Sequence, residues 1–413
     1  MLGLADLFTE VVGADPRLRV VAYDGSSVGA PDAEVTVRVR TPVALSYLAG
    51  APGDLGLARA FVTGHLDVAG DLYTGLLVML ARDVRDLDWA QRLRLAKVLV
   101  PAMVPRPPVP ALEAPPPWRR GRRHSRSRDA AAIAHHYDVS NTFYEILLGP
   151  SMAYTCACYP DADASLEVAQ EAKFDLVARK LGLREGMRLL DVGCGWGGMV
   201  LHAARHYGVR ALGVTLSRQQ AEWAQKAIAE AGLSELAEVR HADYRDVTDT
   251  GFDAVSSIGL TEHIGQAQLG DYFAFLASRL RPQGRLLNHC ITRNDGTHRA
   301  RAGGFIDRYI FPDGELVGPG QIIGPMNDAG FEIRHEESLR EHYAMTLRDW
   351  GANLEGGWDA AVAEVGLARA RVWRLYLAAS RVAFTTNRIQ LHQVLGVVPG
   401  PQGESGFPLR PRY

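Results

Sequence analysis

A glycine-rich loop between residues 191 and 198 carries the clearest chemical signal in the sequence. Glycine lets a chain turn tightly and approach a ligand that a Cβ atom would keep away. The loop therefore predicts a binding site for a nucleotide-like cofactor, although dinucleotide-binding enzymes use a similar loop. Its residues are Asp191-Val-Gly193-Cys-Gly195-Trp-Gly197-Gly198.

The residues after the next predicted strand indicate which cofactor this is. NAD-binding enzymes carry an acidic residue there for the ribose, whereas this chain has Val214-Thr215-Leu216-Ser217. Its acid is instead Asp191, inside an Asp-x-Gly-x-Gly-x-Gly pattern that is typical of methyltransferases using S-adenosyl-L-methionine (SAM). Ser217 and Gln220 also match a helix capping box, with the Gln220 side chain reaching back to Ser217, so structure alone could explain both residues.

The cysteines predict no metal site. Cys156-x-Cys158 has no second Cys or His pair at zinc-like spacing, and the four cysteines of the chain do not form paired clusters. The N-terminus lacks the pattern of a secretory signal, and no run of about 18 apolar residues could span a bilayer. We therefore expect a cytoplasmic protein whose contact with a membrane is peripheral, at the inner face.

Length and composition predict two domains and a linker. A chain of 413 residues exceeds the usual size of a single core, and its net charge of -2 argues against a nucleic-acid binder. Residues 1–100 mix strand and helix patterns, which predict a small α+β domain. We expect this domain to associate with lipid or membrane. Residues 101–129 hold eight prolines in their first seventeen positions and predict an extended linker. Residues 130–413 would form the catalytic domain.

Strand and helix patterns alternate after residue 130. This order predicts a doubly wound, largely parallel, Rossmann-like sheet of the SAM-methyltransferase type, beside the smaller N-terminal α+β domain. Ligands of such sheets bind beyond the carboxyl ends of the strands. The predicted strands are residues 186–192, 210–214, 237–240, 252–258 and 285–291.

Six arginines lie between Trp118 and Arg128. They could be a solvated connector. Alternatively they could attract an anionic membrane surface, with about 1 kcal/mol from each basic residue near the headgroups and Trp118 as an interfacial anchor.

Several separated motifs together resemble the cyclopropane-fatty-acyl-phospholipid synthase family, from about Ala134 to Val397. Three stretches (256–263, 286–293 and 302–308) look closer to its methylene-forming branch, in the 10-methylstearate (tuberculostearate) pathway. The family motifs are Tyr154-Thr-Cys-Ala-Cys-Tyr159, the loop 191–198, Gly213-Val-Thr-Leu-Ser217, Thr261-Glu-His-Ile-Gly265 and Tyr309-Ile-Phe-Pro-Asp-Gly314.

The resemblance implies two sets of site residues. The first set would bind SAM: Tyr154, Thr155, Asp191, Gly193, Gly195, Gly197, Gly198, Thr215, Gln220 and Tyr244. The second set would hold a bicarbonate ion: Cys156, Glu262, His289, Ile291 through its backbone, and Tyr343. A cysteine that some members carry in the C-terminal helix is replaced by Ser380.

The implied reaction adds a one-carbon unit to the cis double bond of an unsaturated phospholipid chain. Methyl transfer leaves a carbocation, which aromatic faces could stabilise and which bound bicarbonate would deprotonate, with Glu262 itself as the competing base. Loss of that proton gives a cyclopropane ring, or a methylene group if hydride migrates first. The implied partners are the phospholipid, a reductase for a methylene product, and a second copy of the chain. The candidate aromatic residues are Tyr137, Phe143, Tyr309 and Phe311.

Two other functions fit parts of the sequence. A SAM methyltransferase acting on a small amine or phenol would share the glycine loop but would have no use for the five ion-site residues. A non-catalytic lipid-binding protein with a methyltransferase-like core would need neither site intact.

Overall fold

The computed structural model describes residues 3–82, 86–104, 106–116, 125–126, 128, 140–296 and 303–413. The chain forms two compact units. The smaller unit comprises residues 1–116, 303–312 and 358–382, and the larger unit comprises residues 117–302, 313–357 and 383–413. Trp118, the four arginines at 119, 120, 122 and 123, and Tyr137 lie outside the described residues.

The smaller unit contains a four-stranded sheet in the order β2-β1-β3-β4, in which only the β1–β3 pair is parallel. Side chains alternate between the two faces of β3, because Val35, Val37 and Val39 are buried while Arg38 is exposed. Its helices and strands are α1 (Leu4–Val12), β1 (Leu18–Ala22), β2 (Ser27–Val28), β3 (Val35–Val39), α2 (Val43–Gly50), α3 (Asp54–Val62), β4 (Leu66–Ala69), α4 (Leu72–Met79), α5 (Trp89–Leu99), a 3-10 turn (Pro101–Met103), a π-helix (Ile306–Ile310), α13 (Trp358–Val365) and most of α14 (Leu367–Thr385).

A buried carboxylate joins distant parts of the chain within the smaller unit. Glu113 accepts from the Arg59 guanidinium at 2.7 Å through both of its oxygens, and it also pairs with Arg308. The backbone N–H of Ala114 donates to the Arg308 carbonyl at 2.8 Å. Removing one partner of a buried ion pair strongly lowers the free energy of unfolding. These contacts therefore hold residues 113–114 in place.

This grouping differs from the division expected from sequence. The sequence predicted that the proline-rich residues 101–116 belong to an extended linker between the domains. In the structure they belong to the smaller unit. Residues 303–312 and 358–382, expected in the catalytic domain, also belong to the smaller unit. Long-range ion pairs such as Arg371–Asp67 account for this, because their partners are some 300 positions apart in sequence.

The larger unit contains the predicted doubly wound sheet, with seven strands in the order β10-β11-β9-β8-β5-β6-β7. Strands β5 to β9 pair in parallel, and β11 and β10 add two antiparallel pairs that the sequence did not predict. Its elements are α6 (Asn141–Leu148), α7 (Leu166–Leu181), β5 (Arg188–Val192), α8 (Gly198–Tyr207), β6 (Arg210–Thr215), α9 (Arg218–Glu230), β7 (Ala237–His241), β8 (Phe252–Ile258), α10 (Leu269–Arg279), β9 (Leu280–Arg293), α11 (Gly320–Asp328), β10 (Glu332–Ser338), α12 (Arg340–Gly356) and β11 (Ile389–Val397), with 3-10 turns at Tyr244–Asp246, Thr261–His263 and Gln266–Gln268.

The strand order creates a crevice beside β5. The chain leaves β5 toward β6 and β7 on one side and then returns to β8 on the other, so the direction of winding reverses between β5 and β8. Two buried clusters of apolar residues, one containing Leu189 and the other Leu190, pack on the opposite faces of β5 and fix its position. The carboxyl end of β5 is therefore where such a fold places a ligand.

Two of the six arginines in the basic run are described, and both pair with carboxylates of the larger unit. Arg128 makes a buried, two-pronged contact with Asp313, and Arg126 lies 2.8 Å from Asp246. Arg128 is therefore part of the protein interior and is not a solvated charge. Among the described residues, no helix has both the length and the apolar content needed to cross a bilayer.

Candidate functional site

The glycine loop at the carboxyl end of β5 has the geometry that the sequence predicted. Gly193, Gly195 and Gly197 have φ values of +73°, +55° and +80°, a region that favours glycine. The N–H group of Gly193 donates to the Val214 carbonyl at 2.9 Å, which ties the loop to the end of β6. At Gly198, a Cβ atom would come within 2.6 Å of the Phe174 ring, so the close approach of α8 to α7 requires glycine.

Asp191 is buried at the end of β5, next to this loop. Its carboxylate accepts a hydrogen bond of 2.6 Å from the Ser256 hydroxyl of β8. Burial raises the pKa of Asp191 to about 6, although the Ser256 bond and the nearby Lys173 lower it. The carboxylate therefore stays ionised for most molecules at neutral pH, and it suits a ligand that carries positive charge.

One cavity in the larger unit gathers nine of the ten residues predicted to bind the cofactor. The tenth, Gly197, does not line the cavity. It is the N-cap residue at the start of α8. The nine lining residues are Tyr154, Thr155, Asp191, Gly193, Gly195, Gly198, Thr215, Gln220 and Tyr244.

Lys173 also lines this cavity, and no sequence motif pointed to it. The side chain is fully buried on α7, and its Nζ donates to the Thr155 hydroxyl at 2.9 Å. Burial lowers the pKa of Lys173 to about 8, while Cys158, Cys156 and Asp191 raise it. An ammonium group that is buried beside the glycine loop is a binding group for an anionic part of a ligand.

Thr215 and Gln220 are coupled at the end of β6. The Gln220 N–H donates to the Ser217 hydroxyl, which confirms Ser217 as the N-cap of α9. The capping box also predicted that the Gln220 side chain reaches back to Ser217. In the structure the Gln220 side-chain oxygen instead accepts from the Thr215 hydroxyl at 2.7 Å. This contact directs both side chains toward the cavity they line.

A chain of contacts through the backbone of Leu339 connects the five residues of the predicted ion site, and we call the region that they occupy, next to this cavity, the corner. The Cys156 thiol lies 3.7 Å from the Leu339 carbonyl, which also accepts from the Tyr343 N–H at 3.1 Å. The Leu339 N–H donates to the Leu391 carbonyl at 2.8 Å. Leu391 lies on β11, directly opposite Ile291 of the neighbouring strand β9. The Ile291 N–H in turn donates to Glu262 Oε1 at 2.7 Å, and His289 is two residues away on the same face of β9.

Two polar atoms in this corner are buried with no hydrogen-bond partner among the described residues. They are Glu262 Oε2 and His289 Nε2. Burial raises the pKa of Glu262 to about 7 and lowers the pKa of His289 well below its ordinary value. Because buried polar atoms are nearly always hydrogen-bonded, this pair marks a place where a small polar ligand would bind.

The Cys156 thiol has a different environment. It donates to the carbonyls of Ala157 at 3.2 Å and Leu339 at 3.7 Å, and burial raises its pKa well above the ordinary value. Cys156 is therefore a neutral thiol that contributes to the packing of the corner, and it is not a nucleophile.

The tautomer of His289 follows from its neighbours. Lys180 pairs with Glu337 and is therefore a donor, so the Gln393 atom that it meets at 2.7 Å must be the amide oxygen. The Gln393 NH₂ group then donates to His289 Nδ1 at 3.1 Å. A neutral imidazole that accepts at Nδ1 carries its proton on Nε2. His289 therefore presents an N–H donor to the corner and cannot act as a base there.

We expect Gln393→Glu to reverse this tautomer. A carboxylate can accept from both Lys180 and His289, which would draw the imidazole proton to Nδ1. Nitrogen-15 NMR should show His289 protonated at Nε2 in the wild type and at Nδ1, or at both nitrogens, in the variant. Turnover should fall about 10- to 100-fold, as for other residues that orient a site histidine. Gln390→Glu, a change at a half-buried position on the same strand, is the control, and an Nδ1-protonated wild type would contradict the assignment.

Aromatic side chains other than the four suggested from sequence lie beside Tyr343 of the corner. Tyr154 stacks on Trp350 with ring centroids 5.2 Å apart, and Tyr343 meets the edge of Trp350 at 6.0 Å. Phe143 is fully buried and serves packing. Tyr309 and Phe311 belong to the smaller unit, and the Tyr309 hydroxyl donates to Glu113 at 3.3 Å.

The sequence matches known proteins over its whole length. The profile of the family described as mycolic acid cyclopropane synthetase matches residues 124–394. A probable fatty acid methyltransferase of Mycobacterium tuberculosis is 56% identical over 422 residues, covering 100% of this chain and 97% of the relative. The tuberculostearic acid methyltransferase UfaA1 of the same organism is 32% identical over 404 residues, covering 93% of this chain and 88% of the relative.

A solved structure shares the fold of the matched region. It is the mycolic acid cyclopropane synthase CmaA1 complexed with SAH and CTAB, with 32% identity and a TM-score of 0.61. The match covers 65% of this chain and 98% of that protein. These matches confirm the predicted resemblance to cyclopropane-fatty-acyl-phospholipid synthases and the predicted fold class.

Proposed function

The chain belongs to the cyclopropane synthase family of SAM-dependent fatty-acid methyltransferases, and we propose that it adds a one-carbon unit to the cis double bond of an unsaturated acyl chain in a membrane phospholipid. The observation that carries this proposal is the corner next to the cofactor cavity. A methyltransferase acting on an amine or phenol removes a proton from its substrate directly and does not need a buried acceptor and a buried donor, Glu262 Oε2 and His289 Nε2, that together could hold a separate anion.

The cavity residues fit SAM in charge as well as in shape. SAM supplies an electrophilic methyl group on a positively charged sulfur. The glycine loop lets the backbone approach the ligand, and Asp191 offers a carboxylate to its positive groups. Lys173 offers an ammonium group to the carboxylate of the methionyl part.

The corner residues fit a bicarbonate ion. That ion has one O–H donor and further oxygens that accept. Glu262 Oε2 is an acceptor and His289 Nε2–H is a donor, so together they match both functions. The Ile291 N–H fixes the other oxygen of Glu262, and Gln393 fixes the ring of His289, so neither group can turn away.

Methyl transfer to a double bond leaves positive charge on the neighbouring carbon, and a base must then remove a proton from the new methyl group. Tyr154, Tyr343 and Trp350 provide aromatic faces that stabilise such charge without reacting with it. Glu262 orients the proton acceptor in the corner and raises its basicity. Direct removal of the proton by Glu262 is the alternative to this arrangement.

Unsaturated phospholipid vesicles provide the first test. We expect the protein to consume SAM in their presence and to leave saturated vesicles unchanged, with SAH released in proportion to the double bonds lost. Removing dissolved CO₂ should lower turnover and added bicarbonate should restore it. Turnover that does not respond to bicarbonate would identify Glu262 as the base, and methylation of small amines alone would refute the proposal.

We expect a methylene product. The full-length similarity to a protein named for tuberculostearic acid supports this choice over the ring, as do residues 256–263, 286–293 and 302–308. A methylene product would require a separate reductase to become a methyl branch. Proton NMR of oleoyl phospholipid after reaction should show vinylidene protons, whereas upfield ring protons alone would contradict the expectation.

A further inference from the structure

Exposed apolar side chains are concentrated on one short stretch of the smaller unit. Among the described residues, ten large apolar side chains are exposed, and six of them fall between residues 89 and 109. Single exposed apolar residues are ordinary, but a contiguous group of them marks an interaction surface. The six are Trp89, Leu93, Val100, Met103, Val104 and Val109.

Three of these residues form a stripe along helix α5. Trp89, Leu93 and Val100 are 79%, 45% and 62% exposed. They occupy positions i, i+4 and i+11, which fall within about 40° of one another around a helix. Val100 extends the stripe because its backbone at the end of α5 is still helical. The opposite side of α5 packs against α1 and α2 of the same unit, so the stripe faces away from that packing.

The charges that flank the stripe along the helix are basic. Residues 89–112 contain four basic residues and no acidic one, and the exposed carboxylates of Asp86 and Asp88 lie before the start of the helix. Arg94 pairs with Glu10 of α1, and Arg92, Lys97 and Arg106 are exposed. By helical spacing, Arg92 and Lys97 lie on opposite sides of the apolar stripe. This pattern, with an apolar stripe, a tryptophan and flanking cations, is that of a helix lying in the interface of an anionic bilayer.

We propose that helix α5 and residues 100–104 dock the protein on an anionic phospholipid bilayer, with the side chains of Trp89, Leu93 and Val100 inserted among the acyl chains. The proposal rests on the proposed function, in which the substrate is a membrane phospholipid. A bilayer is favoured over a protein partner because Arg92 and Lys97, the charges on the two sides of the stripe, are both basic and because tryptophan prefers the membrane interface.

The test compares two variants that remove equal numbers of exposed apolar side chains. The docking variant carries Trp89→Ser, Leu93→Ser and Val100→Ser. The control variant carries Val168→Ser, Leu367→Ser and Leu409→Ser, which are also exposed but lie elsewhere. Vesicles of saturated phosphatidylcholine and phosphatidylglycerol are used, because they offer no double bond and binding is then measured without reaction. Failure of docking is thereby distinguishable from failure of the proposed function.

We expect the docking variant to bind these vesicles at least 10-fold more weakly and the control variant to bind as the wild type does. Burial of three such side chains supports an effect of this size. Wild-type binding should also weaken as salt is raised. Equal loss in both variants, or no loss in the docking variant, would overturn the proposal.

A site-specific probe provides the second measurement. All four native cysteines are buried, so a thiol-reactive, polarity-sensitive dye will label an introduced cysteine selectively. The dye at Leu93→Cys should shift to the blue on vesicles, and the dye at Leu367→Cys should not. A shift at Leu93→Cys that depends on protein concentration in the absence of vesicles would show that a second copy of the chain covers the stripe, which would also overturn the proposal.

Discussion

Glu262→Gln should reduce turnover by about 100- to 10,000-fold while leaving SAM affinity within about threefold of wild type. The loss is that expected when one positioned base, or the group that orients it, is removed. The Ile291 N–H can still donate to the amide oxygen of glutamine, so the corner should keep its shape. The control is Glu238→Gln, an exposed glutamate on β7 that pairs only with arginine. Turnover within threefold of wild type would refute the role of Glu262.

The same substitution, Glu262→Gln, should lower activity but raise the stability of the unliganded protein. The pKa of Glu262 is raised to about 7 in the folded protein, against an ordinary value of 4.5. Between pH 4.5 and 7, Glu262 is ionised in the unfolded chain but keeps its proton in the folded protein. The free energy of unfolding therefore falls as the pH rises from 4.5, and the full loss is reached above pH 7. The unliganded Glu262→Gln variant should therefore unfold at a higher temperature than wild type at pH 8, with the difference disappearing near pH 4.5. A lower unfolding temperature at pH 8 would mean that the activity loss reflects damage to the fold.

Lys173→Met should weaken SAM binding by about 30- to 4,000-fold, because truncating one partner of a buried charge pair typically costs about 2–5 kcal/mol. Methionine fills a similar volume, and removal of a buried ammonium whose pKa is already lowered should not destabilise the unliganded fold. Calorimetry with SAM, and with the analogue that lacks the methionyl carboxylate, provides the measurement. The analogue should bind wild type and variant with similar affinity.

The matched control for this lysine is Lys226→Met, which changes an exposed lysine on α9. It should bind SAM as the wild type does. If Lys173→Met weakens SAM and the analogue equally, the lysine acts by holding Thr155 through its hydrogen bond and not by pairing with the carboxylate.

The parallel strands and the cofactor loop could be predicted from sequence because their signals are local. Strand β8 was predicted at residues 252–258 and the structure gives the same bounds, since Phe252, Val255 and Ile258 are of the aromatic and β-branched types that favour strands. Strand β10 was missed because its sequence, Glu-Ile-Arg-His-Glu-Glu-Ser, has neither an apolar run nor alternation. Its identity as a strand depends on pairing with β11, which lies more than 50 residues later.

The site was predicted only where residue type alone is informative. Closely spaced glycines disfavour both helix and strand, so the turn at Gly193 to Gly198 could be inferred directly. Lys173 and Gln393 lie on an ordinary helix and an ordinary strand, and their roles arise from contacts with Thr155 and His289 that sequence does not reveal. The sequence did not single out Trp350 for the same reason, because an aromatic side chain carries no local signal that separates packing from function.

The composition of the smaller unit has a consequence for how the protein is made on the ribosome. Its first 116 residues emerge early, but the segments 303–312 and 358–382 that complete it emerge only after most of the sheet of the larger unit has been synthesised. Until Arg308 arrives, the Glu113 carboxylate lacks one of its two arginine partners. The amino-terminal part of the smaller unit therefore cannot complete its folding until nearly 200 further residues have been synthesised. A fragment that ends at residue 116 should fail to fold when it is expressed alone.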